Sequence, residues 1–353
     1  MKRKSPKPRT FPNDGRPLLR FLAKKRNRIS PLLILTHDFP DPDALASAFA
    51  LQYIAERVYK IQSRIVHGGI VGRMENREMI RLLKIPVHKI RSEEIKKYPC
   101  VALVDTQPEF RNNSFPKSRR ATIVIDQHAS VRKPNSEFAI VDPECGATSV
   151  ILTKALLALK REIPKSIATA LVYGILSDTL DLYRAKRADV IETYLKIIHR
   201  CDLRALAHIQ NPSRSKRFFQ TLGQGIHNAV TWKGLVVSHL EEISNPDLVA
   251  QVAEFLMTYE KCRWSFCTGR FHDRLYVSLR ASHAATKAGN LLRDILVQRE
   301  NAGGHGTIAG GSFQVGKNVS ERMWKRVEHR LIERLLKRLR IPSKSRFYRP
   351  FSN

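Results

Sequence analysis

Residues 32–51 read LLILTHDFPDPDALASAFAL, and the fold of the chain turns on how that stretch divides. Leu32–Thr36 is a short unbroken apolar run, the pattern of a strand buried on both faces, and from Ala44 to Val58 the apolar residues return at helical spacing. A loop joins the two. It carries His37, Asp41 and Asp43, and Pro40 and Pro42 stiffen it so that these side chains are presented together instead of splaying in solvent.

The alternation continues downstream. Arg64–His67, Cys100–Thr106 (CVALVDT) and Ala121–His128 (ATIVIDQH) read as strands and Glu75–Leu83 as a helix. Two apolar helices follow at Ala147–Leu159 and Ile167–Leu176, the second opened by Pro164. Strands separated by helices predict an α/β fold, a doubly wound and mostly parallel sheet with helices on both faces. Beyond the polar stretch NPSRSK at Asn211–Lys216 the pattern changes. Apolar runs from Gly234 and Arg274 flank a helix at Asp247–Tyr259, and a glycine-rich turn, NAGGHGTIAGGSF, comes after them. Ser320–Leu339 then repeats apolar residues every four positions with Arg and Lys between, as a packed helix with a solvated basic face would. A second, smaller α/β domain across a cleft from the first is expected. The predicted division is a basic flexible arm (1–28), a catalytic domain (29–200), a linker (201–220), a substrate-binding domain (221–340) and a basic tail (341–353).

Across 353 residues, 62 Lys and Arg face 32 Asp and Glu, a formal charge of +30 that exceeds what solubility requires. A polyanionic partner is one reading, because phosphates bound by Lys and Arg release counterions, and nucleic-acid contact through the basic arms is expected on that ground. A generally basic, soluble protein is the other. The five cysteines are odd in number and scattered without a C-x-x-C pair, which argues against a disulfide framework or a zinc ribbon and fits a reducing cytoplasm. The basic N-terminus is not followed by the apolar core of a signal peptide, and no run approaches the ~20 apolar residues that span a bilayer. A soluble cytoplasmic protein without membrane contact is expected.

In open α/β sheets ligands sit beyond the carboxyl ends of the strands. Here those positions hold His37, Asp41 and Asp43 after the first strand, Asp105 after CVALV, and Asp126 and His128 after ATIVI. Asp178 follows the helix that ends near Leu176. One such Asp is usually a helix cap, and Asp43 directly precedes an apolar helix. Carboxylates converging from several segments would repel one another unless divalent cations neutralised them. Mixed Asp and His donors without Cys suit manganese, magnesium or iron, and a pair of such ions is the usual arrangement for phosphoester hydrolysis.

Four motifs in order carry a resemblance to the DHH phosphoesterases: THDFPDPDALAS, VDTQ, IDQHAS and SDT. VSLRAS and AGGHGTIAGG resemble the DHH-associated C-terminal domain, so the likeness spans roughly residues 30 to 315. It is nearest in kind to the oligoribonuclease and 3'-phosphoadenosine-5'-phosphate phosphatase branch, related to RecJ-type exonucleases and cyclic-dinucleotide phosphodiesterases. The resemblance implies two divalent cations, manganese ahead of magnesium, with His37 and Asp41 on one, Asp43 and Asp178 on the other and Asp105 bridging. It implies Asp105, Asp126 and His128 as catalytic residues, His128 facing the substrate phosphate. Arg280, Gly303, Gly304, His305 and Arg184 are implied as contacts to a short oligonucleotide or nucleotide substrate, and a homodimer is admitted. The departure is Gln127, which stands where the family pattern has the first histidine of Asp-His-His. An amide oxygen is a weaker ligand, so the second ion is expected to bind more loosely or to be a harder one such as magnesium.

Overall fold

The computed structural model describes residues 14–91, 93–130, 132–283, 286–296, 302–305, 307–342 and 347–351. The chain divides into two units, Met1–Pro212 and Ser213–Asn353.

The first unit is built on six parallel strands: β1 (Leu32–Leu35), β2 (Ser63–His67), β3 (Val87–Lys89), β4 (Cys100–Val104), β5 (Ala121–Asp126) and β6 (Ser136–Val141). Their order across the sheet is β3-β2-β1-β4-β5-β6. β1 lies at the centre, hydrogen-bonded on both sides, which is why LLIL has no polar alternation: Leu32 and Ile34 enter one core layer, Leu33 and Leu35 the other. The larger layer is covered by α1 (Arg16–Lys25), α2 (Pro42–Tyr53), α3 (Met74–Leu83), α5 (Thr148–Ala158) and α6 (Lys165–Thr179). The opposite layer is thinner, closed by α4 (Glu94–Lys97) and by Phe115 in the connection from β4 to β5. Helix α2 begins at Pro42, two residues before the expected Ala44. Asp41 accepts the Ala44 amide at 3.0 Å, and Pro42 occupies the first turn, where its missing N–H costs nothing. Two further helices, α7 (Ala188–Ile198) and α8 (Leu203–Gln210), complete the unit.

The second unit holds a six-stranded mixed sheet. Its strands are β7 (Val230–Trp232), β8 (Leu235–Glu242), β9 (Trp264–Phe271), β10 (Arg274–Ala281), β11 (Ala302–His305) and β12 (Ile308–Gln314), ordered β11-β12-β10-β9-β8-β7 and antiparallel except between β8 and β9. Of its helices, α10 (Asp247–Leu256) packs into one core cluster, and α11 (Ala288–Ile295) and α12 (Glu321–Arg338) into another, while α9 (Lys216–His227) adds a partly buried Leu222 to the first. A buried ion pair ties α12 to the sheet: Arg270 on β9 donates to Glu328 at 2.9 Å and 3.3 Å, and Thr268 donates to the same carboxylate at 3.1 Å.

The α/β class and the parallel first sheet agree with expectation, and two boundaries do not. Residues 1–28 are not all flexible arm, because α1 drives Leu18 and Leu22 fully into the core; residues 1–13 lie outside the described residues. Residues 201–220 are not a plain linker, since α8 and the first turns of α9 lie in them and the units part between Pro212 and Ser213. The tail is tied down where Tyr348 pairs with Thr231 at 2.8 Å and 3.2 Å. Among the strands, β3, β6 and β9 lacked a clear apolar signature. β3 and β6 are the edges of their sheet, half exposed, and β9 carries Arg270, Thr268 and Ser265, polar residues that only tertiary partners make burial of possible.

If α1 is part of the core, Leu22→Ala should cost about 2–5 kcal/mol of stability. Urea denaturation measures it, and an unchanged midpoint would return this segment to the flexible arm.

Candidate metal centre

In the first sheet β1 connects outward through α2 to β2 on one side, whereas β4 leads to β5 on the other, so the gap between β1 and β4 is the topological switch point. Its rim is formed by the residues that follow those two strands, His37 to Asp43 and Asp105. β4 stops at Val104 because Asp105 turns into the left-handed region, φ 57°, while its amide still donates to Ile125 at 2.9 Å. Asp tolerates that conformation better than most residues, and the strain, on the order of 1–3 kcal/mol, is of the kind stored at functional sites. The turn leaves the carboxylate of Asp105 buried beneath the rim.

Two donor groups meet on that carboxylate. Among the described residues, His37, Asp41 and Asp105 can bring one ligand atom each to within 4.8 Å of one another, and so can Asp105, Asp126 and His128. His37 Nε2 lies 3.7 Å from Asp41 Oδ1 and 3.6 Å from Asp105 Oδ2, and His128 Nδ1 is 3.6 Å from Asp105 Oδ1 and 2.8 Å from Asp126 Oδ1. Asp105 thus offers one oxygen to each side. Side chains around it hold the arrangement: Thr148 Oγ1 donates to Asp105 at 2.8 Å, and Gln107 Nε2 donates to Asp126 at 2.7 Å and to the His128 carbonyl at 2.8 Å. Sequence reading missed Thr148 and Gln107. The signals were present, Gln107 within VDTQ and Thr148 as the first residue of a helix facing the cluster, but neither side chain titrates.

Asp43 is no cap of its own helix, a place Asp41 takes. It caps α5 instead, its two oxygens accepting the Thr148 and Ser149 amides at 2.7 Å each. Asp178 lies in the last turn of α6, not after it, and Gln127 donates to it through Nε2. Three successive residues after α6, Leu180, Asp181 and Leu182, have φ of 49°, 52° and 70°, and this strained turn leads to exposed Arg184. Among the expected substrate contacts, Arg280 is buried on β10 and donates to Ser278 Oγ at 2.9 Å and the Ala309 carbonyl at 3.2 Å. Gly303 and Gly304 lie on β11, and Gly304 has a structural reason to be glycine: a Cβ there would sit 2.3 Å from the Ile308 carbonyl oxygen. His305 ends that strand, and its side chain lies outside the described residues.

Electrostatics explain what so many acids need. Burial raises Asp105 well above the carboxylate range, and the charges of Asp43, Asp41, Asp178 and Asp126 raise it further. Burial also raises Asp178, reinforced by Asp41 and Asp43, and it raises Asp43, beside Asp41, to about 7. Asp41 is different. Burial pushes it up, but hydrogen bonding and charge from His37 outweigh that and hold it at about 2. For His128 burial favours the neutral ring, and the hydrogen bond to Asp126 overrides it and keeps the imidazole protonated above its usual range. Without a cation the raised pKa values of Asp43, Asp105 and Asp178 favour their protonated forms, and a divalent ion is the group that displaces those protons. The donor set, all oxygen and imidazole nitrogen, fits such an ion.

Comparison with known proteins shows what the chain resembles. Residues 31–175 match the model of the DHH family, N-terminal domain. The matched residues all lie in the first unit. An uncharacterized protein of Methanocaldococcus jannaschii is 34% identical over 298 residues, covering 83% of this chain and 60% of the relative. A probable manganese-dependent inorganic pyrophosphatase of Streptococcus equi subsp. zooepidemicus is 27% identical over 161 residues, 43% of this chain and 49% of that protein. The chain therefore spans 60% of the first relative's length and about half of the second's. Among solved structures, an exopolyphosphatase-related protein of Bacteroides fragilis matches with a TM-score of 0.71 at 16% identity, over 92% of this chain and 97% of that one. Exonuclease RecJ bound to manganese matches with a TM-score of 0.51 at 15% identity, over 94% and 96%. At such identities these structures speak for the fold, and the likeness extends beyond residues 31–175 into the second unit. No helix among the described residues is long and apolar enough to cross a membrane.

The first unit carries a pH dependence whose sign follows from these groups. Asp43, raised to about 7, keeps a proton in the folded state that the unfolded chain loses near pH ~4. Stability in chelator should therefore fall as pH rises from ~4 towards ~7, and the raised Asp105 and Asp178 carry the fall higher. His128 acts in the same direction, its contribution lost as pH climbs through its raised value. Asp41 works oppositely, between ~4 and ~2. Manganese at about a hundredfold excess over its dissociation constant should return about 2.7 kcal/mol. Thermal denaturation with and without manganese checks this, and a midpoint indifferent to manganese at ~pH 8 would contradict cation binding.

Proposed function

We propose that this protein is a divalent-metal-dependent phosphoesterase that hydrolyses short oligonucleotides to nucleoside monophosphates, or removes the phosphate of 3'-phosphoadenosine 5'-phosphate. Manganese is the first-choice ion and magnesium the second. The observation that carries the reading is Asp105, buried among carboxylates and offering one oxygen to each of two donor groups at the switch point of the sheet. The match to the DHH family and the manganese named for the pyrophosphatase and RecJ relatives support it.

His37, Asp41 and Asp105 would hold one ion; the family resemblance supports Asp105, Asp43 and Asp178 for the other, with Asp126 and His128 facing the substrate, and each Asp43 oxygen keeps a second lone pair beside its amide partner. Bound ions supply Lewis acidity and an acidified water. The chain supplies the rest. The hydrogen bond to Asp126 favours the protonated form of His128, which suits it to donate a proton to a phosphate oxygen or the leaving group. Gln107 and Thr148 keep Asp126 and Asp105 oriented. Hydrolysis of a dinucleotide, 3'-phosphoadenosine 5'-phosphate, cyclic di-AMP and pyrophosphate with manganese tests the reading. Asp105→Asn should lower kcat by ~10³ or more, about 4 kcal/mol of transition-state stabilisation. A parent protein inert towards all of them with every divalent ion would overturn it.

The charge of +30, together with Gln127, favours a second reading, a catalytically weakened nucleic-acid-binding regulator. Gln127→His separates the two: a hydrolase with a loosened second site should need about tenfold less manganese for half-maximal rate once the imidazole is restored. An unchanged requirement would clear Gln127 of weakening the site.

A further inference from the structure

The loop between His37 and Asp41 is pinned at nearly every residue. The Asp38 amide donates to the Asn112 carbonyl at 2.6 Å, the Asp38 carbonyl accepts the Gly69 amide at 2.7 Å, and the Asp38 carboxylate accepts Ser114 Oγ at 3.0 Å. Asn76 Nδ2 donates to the Pro40 carbonyl at 3.0 Å, and Asp41 caps α2. The residue left without such a tie is Phe39, two positions from each of two donor residues, and it is 67% exposed. A scattered surface phenylalanine needs no explanation, but this one is neither scattered nor free to fold away. Its ring lies along Gly69, where a Cβ would come within 3.1 Å of the ring and 2.3 Å of the Asp38 carbonyl oxygen, so a side chain at position 69 would displace both. Next in sequence, Ile70 is 61% exposed and adds to the apolar surface. The pinned backbone thus holds Phe39 between two residues of the carboxylate cluster, with its ring beside Gly69 and open to solvent.

We propose that Phe39 is a stacking platform for a nucleobase, and so a specificity-determining residue that selects nucleotides over base-free phosphates. The inference rests on the phosphoesterase reading for the reaction it serves, but not for the contact itself. Every base has a π-face, and a rigid ring with few rotatable bonds loses little freedom on accepting one. Inorganic pyrophosphate and polyphosphate have nothing to place there, so the platform separates substrates that share a scissile phosphate and both metal ions.

Two measurements decide. The chain has three tryptophans, Trp232, Trp264 and Trp324, all in the second unit, so Phe39→Trp places the first unit's one indole at the rim. With manganese present, adenosine 5'-monophosphate should quench the added emission saturably, at least about tenfold more tightly than ribose 5-phosphate does. In hydrolysis, Phe39→Ala should raise KM for a dinucleotide about ten- to hundredfold with kcat changed less than about threefold, and Phe39→Trp should restore it. The rise in KM for pyrophosphate should be at least about tenfold smaller. Indifference of the indole to the nucleotide, or equal KM shifts for dinucleotide and pyrophosphate, would overturn the proposal. If no phosphoester is turned over at all, the hydrolase reading falls while the emission experiment still decides whether a base stacks on residue 39.

Discussion

Mutual repulsion among buried carboxylates is the constraint around which the first unit is organised. Asp43, Asp105 and Asp126 are essentially inaccessible, and Asp178 is close enough to Asp41 and Asp43 for their charges to act on it. Desolvating several like charges at one place would cost far more than a domain's net stability, so each acid must be protonated, hydrogen-bonded or neutralised by a cation. The structure applies the second remedy where it can. Asp43 takes two amides of α5, Asp126 takes Gln107 and His128, and Asp178 takes Gln127. Asp105 receives one hydroxyl from Thr148 and is surrounded by acids, which makes it the carboxylate most in need of positive charge.

The same acids serve as construction. Through Asp41 the loop after β1 starts α2, and through Asp43 it fastens the N-terminus of α5, so the residues nearest the cluster also hold two core helices in place. The sheet, the two helix starts and the rim are one mechanical unit, and that rigidity is what allows Phe39 to be held in solvent without collapsing onto the surface.

Arg270 and Glu328 in the second unit illustrate the opposite solution. One base and one acid are buried together, with Thr268 on the carboxylate and Trp324 stacked beneath the guanidinium at 5.5 Å, and no outside charge is needed. Arg187 does the same in the first unit, donating to Asp142 at 2.9 Å and 3.1 Å and to Asp189 at 3.0 Å. Such pairs explain why Asp and Glu burial by itself does not mark a metal site: what distinguishes the cluster around Asp105 is acids without matching bases.

Local pattern was enough for much of the molecule. An unbroken LLIL between polar flanks admits only a doubly buried strand, HDFPDPD can only be a stiff polar loop, and acids at successive strand ends point to one rim because parallel strands share their direction. From these local patterns the α/β class and the neighbourhood of the site follow directly. The sequence could not determine which acid performs which task, since Asp41 and Asp43 have the same chemistry and differ only in whether α2 or α5 lies in reach. Nor could it show that β9 is a central strand, that α1 belongs to the core, or that Phe39 is denied burial. Those were decided by the tertiary structure alone, because a side chain's burial, pKa and partner depend on residues tens of positions away, and distance along the chain carries no record of distance in space.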